Sequence, residues 1–262
     1  MRGRPALSSD SPDDWDQHWV EFADSAEHNP AQRWRRTLLL RDLHAREADR
    51  ILDIGSGQGD LARDLLEAAP GLVVAGLELS ASGVETSRRK VPAARFFQVN
   101  LLGATPSVDE LAAWASHVIC SEVLEHVDEP ARLLNAGLQH AQANARVIVT
   151  VPAGPRTAFD KHIGHRRHFD KRSLGLVLQN AGLIDLEIRA AGMPFFNLYR
   201  LVVFARGRKL IEEASADGRG TESRLARAVL RFFDQTIPWS RQRGRFGWQL
   251  IAIGTWPGER RT

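Results

Sequence analysis

The fold is decided by the stretch RILDIGSGQGD, residues 50–60, in which an apolar run leads straight into a loop with three glycines. The run before the loop predicts a short buried strand, and LARDLLEAA, residues 61–69, predicts a helix. Gly55, Gly57 and Gly59 let the backbone turn tightly and come close to a ligand. The stretch therefore predicts the first strand–loop–helix unit of an α/β domain, with a ligand at the loop.

The spacing of the glycines excludes two familiar nucleotide loops. A dinucleotide fingerprint needs G-x-G-x-x-G, but Asp60 stands where its last glycine would be. A phosphate loop needs Gly-Lys-Ser/Thr, which is absent here. Asp53, directly before the loop, would repel a phosphate, so it suits a ligand that presents a cation or a hydrogen-bond donor.

Downstream, β-rich runs alternate with helical runs, as in βαβ units with a parallel sheet covered on both faces. Gly182 is placed as the C-cap of the last helix of this series. The predicted strands after the first are residues 72–79, 94–102, 117–123, 145–152, 183–191 and 248–256.

Polar residues stand at the ends of successive predicted strands. Glu78 ends the second strand about twenty positions after the loop, where an acid accepts hydrogen bonds from ribose hydroxyls. Asn100 and Leu101 end the third strand, where an amide could pair with an adenine edge beside an apolar wall. Each has a local alternative, as a solvated strand end or a turn former. Their joint occurrence at strand carboxyl ends favours a binding site.

The ends of the chain carry further elements. Residues 1–12 are polar and are predicted to be a mobile tail, followed by a helical cap over residues 13–47. Within this cap, Asn29-Pro30 marks the start of a second helix. Residues 193–247 form a long insertion before the last strand, rich in aromatics, and predict a helical lid over an acceptor pocket. The alternative is a helical addition that packs on the domain or forms a dimer interface.

Composition narrows the class of protein. The 262 residues carry 35 Lys+Arg against 32 Asp+Glu, a balance that does not favour nucleic acid. The single cysteine, Cys120, excludes an internal disulfide and disfavours a thiolate metal site. No apolar run reaches the roughly 18 residues of a membrane span, and the first residues lack a signal-peptide core. We therefore expect a cytoplasmic protein with no metal, either a monomer or a homodimer.

The motifs LDIGSGQGD, GLELS, FFQVNLL and CSEVLEHV, followed by Asp128-Glu129-Pro130, resemble those of class I S-adenosylmethionine-dependent methyltransferases. The ubiquinone-biosynthesis O-methyltransferases and related small-molecule enzymes are the most similar subgroup. The resemblance covers about residues 13–190. It implies a doubly wound, seven-stranded, mostly parallel Rossmann-like sheet and S-adenosyl-L-methionine as cofactor, with S-adenosyl-L-homocysteine as product.

The resemblance also implies roles for residues at the strand ends. Asp53 would interact with the cofactor amino group, Glu78 with the ribose, and Asn100 with the adenine, although the family most often has Asp at this last position. An arginine or an aromatic residue of the N-terminal helix, in the stretch Trp34-Arg35-Arg36, would reach the cofactor carboxylate, and the sequence does not decide which arginine would do so. The implied cofactor-binding residues are Asp53, Gly55, Ser56, Gly57, Gly59, Glu78, Leu79, Asn100, Leu101 and Ser121.

Methyl transfer from a sulfonium is an in-line displacement, so alignment matters most and a base adds about 10²–10⁴-fold. His126 and His165 are the candidate bases, and His126 has the alternative of a structural histidine. Arg166 and Arg167 predict a cradle for an anionic acceptor, or ion pairs with Asp160, Asp170 or a helix end. The predicted substrate-binding residues are Glu122, Arg166, Arg167, Phe195, Phe196 and Tyr199.

The expected function is methyl transfer to a small molecule, partly apolar with an anionic group, in biosynthetic or secondary metabolism. The basic segment at residues 161–172 leaves an RNA methyltransferase as an alternative. A non-catalytic protein that binds the cofactor as a scaffold is a second alternative.

Overall fold

The structure, a computed structural model, describes residues 29–215 and 224–258, with side chains described outside 206–228. The predicted tail and the first predicted helix of the cap lie outside these residues. The helices are α1 (Pro30–Leu43), α2 (Asp60–Ala68), α3 (Ala81–Lys90), α4 (Pro130–Leu138), α5 (Ala158–His162), α6 (Lys171–Asn180), α7 (Phe195–Ser215) and α8 (Arg224–Thr236). The strands are β1 (Arg50–Ile54), β2 (Val73–Glu78), β3 (Arg95–Gln98), β4 (Ala115–Ser121), β5 (Ala141–Pro152), β6 (Ile184–Ala191) and β7 (Gln249–Trp256). Short 3-10 turns cover Asp109–Leu111, Leu124–His126 and Ile237–Trp239.

The strands form one seven-stranded sheet in the order β3-β2-β1-β4-β5-β7-β6. The neighbours from β3 to β5 pair in parallel, and β7 runs antiparallel to both β5 and β6. Two apolar clusters cover the sheet, one including α4 and α6 and the other including α1, α2 and α7. The prediction of a doubly wound, seven-stranded, mostly parallel sheet is confirmed. In such a sheet the carboxyl ends of β1, β2, β4 and β5 share one edge, where ligands bind.

Two predicted strand boundaries were wrong by four residues. β3 ends at Gln98 rather than at Leu102, because the Asn100 side-chain oxygen accepts a hydrogen bond from Leu102 N at 3.0 Å and closes a turn. β5 begins at Ala141, four residues earlier than expected, because Ala141 already pairs with Ala115 of β4. Neither difference moves the carboxyl edge of β4 and β5.

The predicted start of a helix at Asn29-Pro30 is confirmed. The Asn29 side chain accepts from Ala31 N at 2.8 Å and caps α1, with Pro30 in the first turn. Trp34 of α1 is buried and lies with its ring centroid 4.8 Å from that of Phe196 at the start of α7. The insertion therefore begins with a helix that packs onto the N-terminal cap.

Among the described residues, no helix combines the length and the apolar character required to cross a membrane.

Candidate active site

The glycine loop between β1 and α2 has the backbone that its sequence predicted. Gly55, Gly57 and Gly59 all have positive φ, at 74°, 54° and 81°. A Cβ on Gly55 would overlap the Val123 side chain, and one on Gly59 would lie 2.9 Å from Ser87 Cβ. Neighbouring side chains therefore pack directly against these glycines, and the loop lies at the carboxyl ends of the strands.

Glu78, at the end of β2, joins the glycine loop to the start of α3. One carboxylate oxygen accepts from Gly57 N at 2.8 Å, and the other accepts from Ser80 N at 2.9 Å. The side chain is 6% exposed. These bonds hold the carboxylate at the predicted ribose position and fix the loop relative to β2.

Asp53, the last acid before the loop, is buried at the end of β1. Burial, followed by repulsion from Glu78, raises the pKa of Asp53 to about 7. A cationic ligand group placed beside it would favour the ionised carboxylate, as expected for the amino group of the predicted cofactor.

The other predicted cofactor residues differ in how accessible they are. Leu79 is 45% exposed, and Asn100 is exposed while its side-chain oxygen holds the turn after β3. Leu101 is buried in the apolar cluster, so its side chain supports the turn from below. Ser56 is buried and its hydroxyl has no hydrogen-bond partner among the described residues. Ser121 is half-buried and its hydroxyl lies 2.8 Å from that of Thr150.

Glu122, directly after β4, is the centre of a polar network. It has a positive φ of 58°, which points the chain away from the strand, and one of its oxygens accepts from Gln249 Nε2 at 2.8 Å and from Thr150 Oγ1 at 3.2 Å. The other oxygen is 2.5 Å from an Arg35 nitrogen, with both side chains less than 16% exposed. Arg36 instead binds Asp64 of α2. The structure thus brings Arg35, and not Arg36, to the strand ends.

Three histidine rings lie in a chain beside Glu122. The His126 and His165 ring centroids are 4.7 Å apart, and those of His165 and His168 are 5.3 Å apart. A carboxylate oxygen of Asp160 lies 3.9 Å from His165 Nδ1 and 3.9 Å from His168 Nε2. The same oxygen forms an ion pair with the Arg200 guanidinium at 3.2 Å. The two predicted bases are therefore brought together, with His168 added to them.

Burial controls the charge of this cluster. Glu125 is fully buried, and within the part of the chain that the structure describes neither of its carboxylate oxygens has a hydrogen-bond partner. Burial, then repulsion from Glu122, raises the pKa of Glu125 well above the usual range. Burial, followed by the nearby His126 and His168, lowers the pKa of His165 strongly. A His165 imidazole that favours its neutral form thus lies near a carboxyl group that favours its protonated form.

Two groups in this cluster could hold a cation. Potential ligand atoms of Glu125, His126 and His165 lie within 4.8 Å of one another, and so do those of Asp160, His165 and His168. The sequence expectation of no metal did not anticipate this juxtaposition, because its members are distant along the chain.

Arg166 and Arg167 do not face the histidine rings through their charged ends. The Arg166 guanidinium is bonded to the Asp128 carboxylate, and that of Arg167 donates to the Asp128 carbonyl at 3.2 Å. Their backbone amides donate to the Glu125 carbonyl at 2.8 and 3.4 Å. The geometry therefore matches the ion-pair alternative, with Asp128 rather than Asp160 or Asp170 as the partner.

The three aromatic residues predicted to contact the acceptor have different surroundings. Phe196 is 1% exposed and packs in the core against Trp34, so its side chain supports the insertion from within. Phe195 and Tyr199 are half-buried, and the Tyr199 hydroxyl donates to the Asn29 side-chain oxygen at 3.3 Å. Of the three, Tyr199 also lies in the electrostatic environment of Arg35 and Arg200.

The chain is similar to proteins of a known family. A family model described as a methyltransferase domain matches residues 26–188, which is more than half of the chain. The chain belongs to the class I S-adenosylmethionine-dependent methyltransferases. This confirms the family, fold and cofactor class that the motifs at the strand ends had indicated.

Individual relatives of this methyltransferase are distant. Trans-aconitate 2-methyltransferase of Azoarcus sp. (strain BH72) is 27% identical over 141 residues, which cover 52% of this chain. That match spans only 50% of the length of the curated relative.

Solved structures share the fold at low identity. Phosphoethanolamine N-methyltransferase 2 of Haemonchus contortus, in complex with phosphomonomethylethanolamine and S-adenosylhomocysteine, has a TM-score of 0.60 at 16% identity. That match covers 93% of this chain and 58% of the other. A Thermotoga maritima protein described as a possible histamine N-methyltransferase has a TM-score of 0.59 at 13% identity, covering 92% of this chain and 98% of the other.

Several residues of this candidate site were not predicted from the sequence. Arg200 lies on α7 and Gln249 begins β7, so only the folded insertion and the antiparallel strand bring them to the carboxyl edge. His168 was visible in the segment GHRRH, residues 164–168, but the arginines there drew the functional interpretation. Glu125 lay inside the motif SEVLEHV, and its only sequence signal was an acid within an otherwise buried turn.

Proposed function

We propose that the protein transfers the methyl group of S-adenosylmethionine to a small-molecule acceptor bound beside the ends of β4 and β5. The observation that carries this proposal is the juxtaposition at one sheet edge of the Glu78-held glycine loop with a recessed cluster of imidazole, carboxylate and guanidinium groups. The first part suits a cofactor, and the second suits an acceptor that must be oriented and deprotonated. On the resemblance, Asp53, Glu78 and Asn100 bind the cofactor.

The surroundings of the cluster favour an acceptor that is partly apolar and carries an oxygen anion or hydroxyl. Tyr199 supplies apolar surface near Arg35 and Arg200, and these two arginines supply positive charge. Trans-aconitate, the acceptor in the name of the curated relative, is an anion of this general kind. Biosynthetic or secondary metabolism is the setting in which such a reaction fits.

The aromatic insertion would close over this acceptor and exclude water. Support comes from α7, which packs Phe196 on the N-terminal cap and brings Tyr199 and Arg200 toward the strand ends. On this proposal residues 13–262 work as one methyltransferase domain with a cap and a lid.

The test is turnover with a panel of acceptors. Purified protein is incubated with S-adenosylmethionine and with aliphatic di- and tricarboxylates, aromatic hydroxy acids, phosphate monoesters, prenyl diphosphates and total RNA, and S-adenosylhomocysteine is measured. We expect product with a member of the small anionic classes, and loss of product in Glu78→Ala but not in Glu85→Ala, an exposed residue of α3. Methyl incorporation into RNA alone would overturn the small-molecule proposal. Tight cofactor binding with no product from any acceptor would favour a scaffold.

A further inference from the structure

Three side chains of the segment between β5 and α6 bring potential metal-ligand atoms to one point. His165 Nδ1 lies 3.1 Å from His168 Nε2, and Asp160 Oδ1 lies 3.9 Å from each of these two nitrogens. The side chains of His165, His168 and Asp160 are 8%, 5% and 4% exposed. Their ligand atoms thus form a triangle that is almost closed to solvent.

The size of this triangle matches the bond lengths of one class of ion. A point equidistant from the three atoms lies about 2.1 Å from each of them, and zinc binds imidazole nitrogen at about 2.0–2.1 Å and carboxylate oxygen at about 2.0–2.2 Å. Ca²⁺ requires longer bonds, of about 2.3–2.6 Å, and Ca²⁺ and Mg²⁺ both prefer oxygen ligands. Two nitrogens and one oxygen at this distance therefore fit zinc.

Hydrogen bonds from neighbouring groups direct these atoms into the triangle. His168 Nδ1 lies 3.1 Å from the Gly154 carbonyl oxygen, which can only accept, so Nδ1 donates and the lone pair of a neutral ring lies on Nε2. The second Asp160 oxygen, Oδ2, accepts from Thr157 N at 2.8 Å and from Thr157 Oγ1 at 2.7 Å, which fixes the direction of Oδ1. Histidines and carboxylates that bind metals are typically held by such outer hydrogen bonds.

The surrounding charges decide which cations the triangle can accept. The Arg200 guanidinium lies 3.2 Å from Asp160 Oδ1, so its positive charge offsets the attraction of this carboxylate for a cation. The Glu122 carboxylate acts in the opposite direction, because it contributes negative charge near both His168 and Arg200. A cation held by charge alone is therefore disfavoured, whereas an ion that bonds strongly to imidazole nitrogen is not. This again selects zinc over Mg²⁺ or Ca²⁺.

We propose that Asp160 Oδ1, His165 Nδ1 and His168 Nε2 bind one zinc ion, which fastens α5 to the segment that leads into α6. Asp160 belongs to α5 and the two histidines follow that helix, so the ion closes this segment on itself. The hydrogen that the two imidazoles share leaves the triangle on binding, because both nitrogens must then present lone pairs. The site goes beyond the proposed methyl transfer, and its test does not depend on turnover.

The first test is zinc binding by the untagged full-length protein. The protein is stripped with a chelator and dialysed to equilibrium against zinc, and its metal content and dissociation constant are measured by mass spectrometry and by competition with a chromophoric chelator. We expect about one zinc per chain in the wild type, and a loss of affinity of at least about tenfold in His165→Gln, His168→Gln and Asp160→Asn. His162→Gln, at an exposed histidine of α5, is the matched control and should bind as the wild type does.

A second group of potential ligands shares His165, so the experiment must separate the two groups. Glu125 and His126 belong only to that second group, whereas Asp160 and His168 belong only to the triangle. We expect Glu125→Gln to keep the wild-type affinity for zinc. Loss of zinc in Glu125→Gln with normal binding in Asp160→Asn would place the ion in the second group and overturn the proposal.

Cobalt(II) serves as a probe of the ligands themselves. With Co²⁺ in place of zinc, we expect the intense visible absorption of a site with few ligands in the wild type, and its loss in His168→Gln. Zinc should also raise the thermal midpoint of the wild type but not that of His168→Gln, since an ion that binds only the folded state stabilises it. Circular dichroism of the two chelator-treated proteins checks that the variant folds.

Two further results would count against the zinc site. One is wild-type protein that holds no zinc after dialysis against the ion at micromolar concentration. The other is a folded His168→Gln variant that binds zinc and cobalt as the wild type does. If His168→Gln fails to fold, His165→Gln and Asp160→Asn provide the same comparison.

Discussion

The guanidinium of Arg35, on the N-terminal helix α1, lies 2.5 Å from a carboxylate oxygen of Glu122, at the end of β4. Both side chains are largely buried, and Glu122 is held from its other oxygen by Thr150 and Gln249. The pair therefore ties the cap to the part of the sheet where we place methyl transfer.

Removing Arg35 should lower the stability of the fold. We expect Arg35→Ala to lower the free energy of unfolding by about 1–3 kcal/mol, because Glu122 keeps its buried charge without its cationic partner. Arg33→Ala, which breaks an exposed pair between the same helix and Asp234, should cost less than about 1 kcal/mol. Denaturant unfolding of both variants measures the difference. Equal losses would mean that the buried pair contributes no more than a surface contact.

Glu78 should control cofactor affinity. We expect Glu78→Ala to weaken S-adenosylmethionine binding by about 1–3 kcal/mol, from lost ribose hydrogen bonds and from a Gly57 amide left without its acceptor. Calorimetric titration of folded protein is the measurement, with Glu85→Ala as the control on the exposed face of α3. Unchanged affinity in a folded Glu78→Ala variant would remove this carboxylate from the site.

The sequence was informative wherever a residue's role depends on its own element. The glycine loop, the strand ends at Asp53 and Glu78, and the N-cap at Asn29 are local patterns, and local patterns are what spacing records. The cluster around His165 depends on packing between the loop after β4, the loop after β5 and α7. Because these segments are far apart along the chain, no spacing of residues in the sequence predicts the cluster. Phe196 illustrates the limit, since an aromatic side chain at a helix start reads the same whether it faces a ligand or the core.

Arg166 and Arg167 should behave as surface ion pairs rather than as an acceptor cradle. Both guanidiniums are more than a third exposed and contact Asp128. We expect Arg166→Ala and Asp128→Asn to give the same small loss of stability, below about 1 kcal/mol, with similar acceptor KM. Thermal unfolding and steady-state kinetics on the two variants check this. A raised acceptor KM in Arg166→Ala together with a normal KM in Asp128→Asn would instead support the sequence prediction that these arginines bind an anionic acceptor.

Asp53 should make both stability and cofactor binding depend on pH. Its pKa in the folded protein is about 7, against an ordinary value of 3.8, so the native state holds an extra proton between about pH 4 and pH 7. The stability that this group contributes is therefore present at low pH and is lost as pH rises through that window. The measurement is the difference in unfolding free energy between the wild type and Asp53→Asn at several pH values, because other groups titrate in both proteins and cancel.

Cofactor binding should strengthen as pH rises, which is the opposite of the stability. The reason is that the cofactor's ammonium group favours the ionised Asp53 carboxylate, whereas burial alone disfavours it. We expect affinity for S-adenosylmethionine to rise as pH increases through about 7, with release of a proton on binding near pH 6, and both effects to vanish in Asp53→Asn. Calorimetry in buffers of different ionisation enthalpy counts the proton. The opposite result would be that the wild type releases no proton on binding and that its affinity stays constant from about pH 5.5 to about pH 8. Asp53 would then not interact with the cofactor's ammonium group and would act only within the fold.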